Sequence, residues 1–127
     1  MGPKKILLAD PDDNYRELVC LYLKFLNYPV PSVASDGEEA LSKALTERPD
    51  LIVMEVRLPR KDGFGIVAQL RSNPLTRDTR ILAATAMAGP QDREKCLDKG
   101  FNAYLAKPFT MVEFEGILES MFRRNLS

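Results

Sequence analysis

Four residues in this sequence combine complementary charge with an equivalent position. Asp10, Glu55, Thr85 and Lys107 each follow directly on a short apolar run. The runs are Ile6-Leu7-Leu8-Ala9, Leu51-Ile52-Val53-Met54, Ile81-Leu82-Ala83-Ala84 and Ala103-Tyr104-Leu105-Ala106. Two carboxylates, a hydroxyl and an ammonium can pair with one another or hold a charged ligand. One polar residue where a strand leaves the core for water carries no information. Four of complementary charge at the same end of one parallel sheet outline a site, because ligands in open α/β sheets bind outside the C-terminal strand ends.

The elements that position these residues follow from the pattern. Apolar runs alternate with amphipathic stretches five times, which reads as α/β with a parallel sheet. Strands buried on both faces are apolar throughout, like the first and third runs. A second strand over about Val30 to Ala34 follows Pro29 and contains Pro31. Proline cannot donate to a ladder, so this strand belongs at an edge. The order 2-1-3-4-5 then places the switch point between strands one and three, which carry the two acids.

Helices are expected from Asp13 to Leu26, with Tyr15, Leu18, Val19, Tyr22, Phe25 and Leu26 at helical spacing, and from Asp36 to about Glu47, with Ala40, Leu41, Ala44 and Leu45 inward. A third carries Phe64, Val67 and Leu70, and a fourth runs from about Gln91 to Lys99 with Gly100 at its C-cap. The last carries Phe114, Ile117, Leu118, Met121 and Phe122 and ends in Arg123-Arg124. Asp36-Gly37-Glu38-Glu39 and Thr110-Met111-Val112-Glu113 have the form of capping boxes.

Composition narrows the chemistry. The chain has 127 residues, equal numbers of acids and bases at 18 each, two Cys and no His. It suits a single domain over residues 1–127 with its core at about 5–122. Zero His removes His-based acid–base catalysis and His metal ligands. Two Cys cannot build a four-ligand zinc site, and both fall in helical stretches as expected of buried thiols in a reducing cytoplasm. Charge balance argues against nucleic-acid binding by bulk electrostatics. No apolar run is long enough to span a membrane, and the start lacks a leader-like apolar region.

With these residues in place, the chain resembles a response-regulator receiver domain, the phosphoacceptor module of two-component signalling. The resemblance covers about Lys5 to Phe122. It is carried by the run ending in Asp10, Pro49-Asp50-Leu51-Ile52-Val53-Met54-Glu55, Leu58-Pro59 with Asp62-Gly63, Thr85-Ala86, and Tyr104-Leu105-Ala106-Lys107-Pro108-Phe109. It implies a flavodoxin-like fold with five strands and five helices. In that family an Asp ending the third strand accepts phosphate from a histidine kinase, and two acids after the first strand hold Mg²⁺. The resemblance makes Thr85 the switch hydroxyl, Tyr104 the switch aromatic, Lys107 the phosphoryl-contacting lysine and Lys107-Pro108 a cis peptide.

Two positions depart from the pattern. The acceptor position is Glu55, and the second metal acid falls on Pro11. A Glu side chain is longer by one carbon–carbon bond, roughly 1.5 Å. Its carboxylate overshoots the attack position and reaches toward Lys107 and Thr85. Unit charges ~4 Å apart attract by about 4 kcal/mol at an effective dielectric near 20, before desolvation. Glu55 is therefore expected to hold Lys107 much as a phosphoryl group does. Mg²⁺ needs oxygen ligands, and Pro11 supplies none, leaving Asp10 and Glu55 as a weakened metal site. Asp12 and Asp13 lie close enough to lend an oxygen, but helix capping is the expected use. Arg57 is either a partner for Asp10 or Glu55 in the cation's place, or a solvated loop charge.

The leading expectation is a degenerate receiver: no enzyme, no resident cofactor, acting by protein contact. Its partners would be a histidine kinase or an output domain, met through the fourth helix, fifth strand and fifth helix. The alternative is a working phosphoacceptor, with Glu55 an introduced phosphomimetic or Asp12 rescuing the metal. A small nucleotide binder is the third reading. It is opposed by an acidic, glycine-free first turn, Asp10-Pro11-Asp12-Asp13, which cannot cradle phosphates.

Overall fold

The computed structural model of the protein describes residues 4–123. The chain start read for a leader and Arg124 lie outside the described residues. Five βα units follow one another: β1 (Ile6–Ala9), α1 (Asp13–Phe25), β2 (Ser32–Ala34), α2 (Gly37–Glu47), β3 (Leu51–Met54), α3 (Gly63–Ser72), β4 (Arg80–Thr85), α4 (Asp92–Lys99), β5 (Ala103–Ala106) and α5 (Met111–Arg123). The sheet is parallel throughout, in the order β2-β1-β3-β4-β5. This is the expected doubly wound, flavodoxin-like architecture.

The central strands are buried on both faces, which is why they are apolar without alternation. One face packs Leu7, Ile52, Met54 and Ile81 against Ala40, Ile66, Leu70 and Cys96 of α2, α3 and α4. The other packs Leu8, Val53 and Leu82 against Val19 and Leu23 of α1 and Phe114, Leu118 and Met121 of α5.

Four of the five helices, α1, α2, α3 and α5, begin on Asp caps or capping boxes. Asp12 accepts the N–H groups of Asn14 and Tyr15, and Asp62 accepts that of Gly65. Thr110 and Glu113 close a full box, each accepting the other's backbone N–H. In the Asp36 box only one arm has the expected form. Asp36 accepts the Glu39 N–H at 2.8 Å, but Glu39 reaches one residue further back, to the Ser35 N–H at 2.9 Å. Gly100 ends α4 in the left-handed region, with φ of 118°.

Three local expectations are corrected. β2 starts at Ser32 instead of Val30, because Pro31 has no N–H for the ladder and lies buried just before the strand. Phe25 is 67% exposed and Leu45 38% exposed, so neither faces the core. Each lies near the C-terminal end of its helix, on the flank of the buried stripe, where neighbouring elements no longer cover it.

Two contacts fix the loops around the strand ends. The N–H of Gly37, the first residue of α2, donates to the Pro59 carbonyl at 2.9 Å. A Cβ on Gly37 would lie 1.7 Å from the Lys61 carbonyl oxygen, so only glycine allows α2 to seat on the loop after β3. At the opposite end of the sheet, Arg71 on α3 donates to the carbonyls of Gly100, Arg77 and Thr79 and to Asn102 Oδ1. Cys20 and Cys96 are free thiols. Cys96 is buried as expected, whereas Cys20 is only half-buried. Among the described residues no helix is long and apolar enough to cross a membrane.

Candidate functional site

The strand ends bring Asp10, Glu55, Thr85 and Lys107 together. Asp10 follows β1, Glu55 follows β3, Thr85 closes β4 and Lys107 follows β5, where the Lys107-Pro108 peptide is cis as expected. The Lys107 ammonium lies between the two acids. Its Nζ donates to Asp10 Oδ2 at 2.6 Å and to Glu55 Oε1 at 3.1 Å. Asp10 and Glu55 are only 3% and 5% exposed. Buried charges of this kind persist only when paired and hydrogen-bonded, and here they are.

Glu55 is the hub. Oε1 accepts from Lys107 and from the Ala86 N–H at 3.1 Å. Oε2 accepts from the Thr85 hydroxyl and from the Arg57 N–H at 3.1 Å. Burial by itself pushes the Glu55 pKa up. The hydrogen bonds from Thr85, Arg57, Lys107 and Ala86 outweigh burial and hold it below the ordinary Glu value. Burial likewise pulls Lys107 down, but its bonds to Asp10 and Glu55 leave it above the ordinary Lys value.

The network continues past Thr85. The Met87 N–H donates to Thr85 Oγ1 at 3.1 Å, and the Met87 carbonyl accepts from the Tyr104 hydroxyl. Glu55, Thr85, Met87 and Tyr104 thus form one hydrogen-bonded series. Tyr104 lies half-buried against the core on the α4 side of the sheet.

The remaining predicted residues fall apart from this hub. Asp12 is the cap of α1, its carboxylate turned to the helix N–H groups, while its own N–H donates to Asp10 Oδ1 at 2.9 Å. Asp13 pairs with Arg16. Pro11 is exposed and brings no polar side-chain atom to the site. The Arg57 guanidinium enters no ion pair among the described residues, and the solvated reading of it holds; only its backbone N–H meets Glu55.

Three participants escaped the sequence reading. The backbone N–H groups of Arg57 and Ala86 have no signature in residue type. Helical spacing puts Tyr15 on the core side of α1, yet its ring lies under Lys107, with Nζ 4.3 Å from the centroid. Its spacing places it in the first turn of α1, facing the sheet, which is the only signal that would have found it.

The profile of the response regulator receiver domain matches residues 6–119. The chain belongs to this family. It is a receiver domain of two-component signalling. It is 40% identical over 122 residues to the alkaline phosphatase synthesis transcriptional regulatory protein PhoP of Bacillus subtilis, covering 96% of this chain and 50% of that protein. It is 36% identical over 124 residues to the probable transcriptional regulator ycf27 of Porphyridium aerugineum, covering 98% and 50%. The chain thus spans about half the length of the curated relatives it matches. Among solved structures it is similar to the chemotaxis response regulator CheY4 of Vibrio cholerae, with a TM-score of 0.86, 29% identity and coverage of 94% and 99%. It is also similar to the receiver domain of the sensor histidine kinase PA1611 of Pseudomonas aeruginosa PAO1, with a TM-score of 0.85, 35% identity and coverage of 94% and 98%.

That PA1611 domain holds a magnesium ion in its active-site cleft. In the present receiver domain the two acids at the strand ends already have donors. Asp10 spends Oδ1 on the Asp12 N–H and Oδ2 on Lys107, and both Glu55 oxygens have two donors each. Among the described residues no group of three or more Cys, Asp or Glu is placed to hold a metal.

Proposed function

We propose that this receiver domain is atypical, a module that acts by protein–protein contact without aspartyl phosphorylation. One observation supports the reading above the rest. The Glu55 carboxylate gathers the Thr85 hydroxyl, the Lys107 ammonium and two backbone N–H groups. Thr85 and Lys107 are the groups that the family's pattern assigns to a phosphoryl group. A carboxylate built into the chain takes those donors, and the series from Glu55 to Tyr104 is closed without a modification. On this reading the switch stands in one position, set by sequence.

The same arrangement argues for weak Mg²⁺ binding. Pro11 removes one ligand, and the Lys107 ammonium lies where a divalent cation would neutralise Asp10 and Glu55. Metal-assisted phosphoryl transfer would lose its cation and its aspartate together. Asp12, engaged as a helix cap, is not available to rescue it. The domain performs no catalysis of its own. Its partners are a histidine kinase or an output domain, met through the surface of α4, β5 and α5. The relatives named as transcriptional regulators are about twice as long, which favours an output domain. Two free thiols suit a cytoplasmic setting.

The test is incubation with acetyl phosphate or phosphoramidate and Mg²⁺, followed by intact mass. The expected spectrum is that of the unmodified chain. A stoichiometric phosphate adduct that disappears in Glu55→Ala overturns the proposal.

A further inference from the structure

On the side of the molecule away from the partner surface, α1 carries a stripe that the site does not use. Asp13, Arg16, Glu17, Cys20, Leu21 and Lys24 recur at intervals of three and four and line one wall of a groove of about 770 Å³. The other wall is the Tyr28–Pro31 segment with Val33 of β2. Around it Leu21 is 48% exposed, Phe25 67%, Val30 92% and Val33 39%. Single exposed apolar residues are ordinary, but Leu21, Val30 and Val33 lining one groove, with Phe25 one turn beyond Leu21 on α1, mark a binding surface.

The charges of the stripe say what fits there. Asp13 and Arg16 satisfy each other, while no ion pair among the described residues involves Glu17 or Lys24. We propose that the groove docks a second copy of this chain, with the two α1 helices antiparallel about a two-fold axis between Cys20 and Leu21. Glu17 and Lys24 are equidistant from that axis, about 5 Å on either side at 1.5 Å per residue. Glu17 of each copy then meets Lys24 of the other, twice by symmetry. A parallel arrangement would set Glu17 against Glu17 and Lys24 against Lys24. Near the axis Cys20 and Leu21 face their counterparts, and Phe25 and Val30 close the margins.

The occupant is a helix and not an added strand. β2 is the open edge of the sheet, but it has three residues, and Lys43 Nζ already donates to its Val33 carbonyl at 2.6 Å. Affinity comes from Leu21, Phe25 and Val30, while the exposed charges fix register and direction. One helix of 13 residues and a short loop bury a small area, so the dimer belongs to the weak, reversible class. None of these residues takes part in the Glu55 network, so this inference stands apart from the proposed function.

Sedimentation equilibrium of the chain from about 10 μM to about 1 mM covers the range in which such interfaces assemble. The average mass should climb from monomer toward dimer. Leu21→Glu should weaken association at least about tenfold by placing a charge at the axis. Glu17→Lys and Lys24→Glu should each weaken it several-fold, and the double variant should restore it, because exchanging both signs keeps every pair complementary. All three positions are exposed, and circular dichroism checks each fold. A short bis-maleimide should join two copies through Cys20 and leave the buried Cys96 unreacted. A monomer at every concentration overturns the proposal, as does a dimer indifferent to Leu21→Glu and to the charge exchange.

Discussion

Lys107 and Asp10 meet at 2.6 Å across the C-terminal end of the sheet, although 97 positions separate them in the chain. With Glu55 on the other side of the ammonium, two buried acids share one half-buried base. Local net charge at the site is therefore negative even though the whole chain is neutral. That imbalance is tolerated because four hydrogen-bond donors converge on Glu55.

Removing the base should expose this dependence. Lys107→Met leaves two carboxylates buried without a counter-ion, an arrangement that costs about 3–5 kcal/mol. Urea unfolding at neutral pH should report a loss of that order. Combining Lys107→Met with Glu55→Gln should recover part of it, and a purely additive double variant would contradict the coupling.

The pH dependence has two limbs with opposite origins. The Glu55 pKa is lowered in the fold, so its contribution is complete above the ordinary Glu value of about 4.3 and is lost as pH falls through the folded value. The Lys107 pKa is raised, so its contribution is complete below the ordinary Lys value of about 10.4 and is lost as pH rises through the folded value. Denaturation midpoints should hold level between these limits and fall beyond both. Glu55→Gln should flatten the acid limb.

Tyr15 offers a contrast in sign. Its hydroxyl is buried with no hydrogen-bond partner among the described residues, while its ring supports Lys107. Tyr15→Phe keeps the ring and removes the unsatisfied group, so stability should be unchanged or raised by up to about 1 kcal/mol. Tyr15→Leu loses the ammonium–ring contact and should be destabilised by about 1–2 kcal/mol. Thermal melts of the two variants should move apart.

Gly37→Ala should be among the most damaging single changes outside the core. The added methyl meets a backbone carbonyl instead of a movable side chain, so α2 or the 59–61 loop has to shift. A loss above about 2 kcal/mol is expected in chemical denaturation. Alanine at Gly116, where nothing lies within 4 Å of the added Cβ, should raise helix stability instead.

Restoring acceptor chemistry should take two changes. Glu55→Asp alone shortens the acid but leaves Pro11 without a ligand atom, so Mg²⁺-dependent phosphorylation should stay absent. Pro11→Asp with Glu55→Asp supplies both carboxylates and should take up phosphate from acetyl phosphate. Intact mass with and without Mg²⁺ checks each variant.

The strand-end quartet was legible because each member follows an uninterrupted apolar run, and parallel topology puts all such ends on one side. The reach of Glu55 toward Lys107 and Thr85 followed from side-chain length alone. What the sequence hid was of two kinds. The N–H groups of Arg57 and Ala86 belong to the backbone, and any residue but proline would supply them. Periodicity marks which positions face inward but not how far cover extends, so it points Phe25 and Leu45 toward a core that ends before reaching them. The role of Arg71 lies in five donors meeting oxygens from two separate loops, a pattern that residue type does not announce.

Those carbonyls have a mechanical consequence. Two of the Arg71 bonds end on Gly100, the cap that closes α4, and so moor that helix at the end remote from Glu55. Its other end starts at Gln91 without a side-chain cap, beyond the exposed 88–91 stretch. That end is tied only to its own loop, through Asp92 and Gly89, and a rod held more firmly at one end pivots there. Any displacement of α4 therefore has its fulcrum at Gly100 and its widest sweep beside Met87, where the hydrogen bonds of Thr85 and Tyr104 act as the brake.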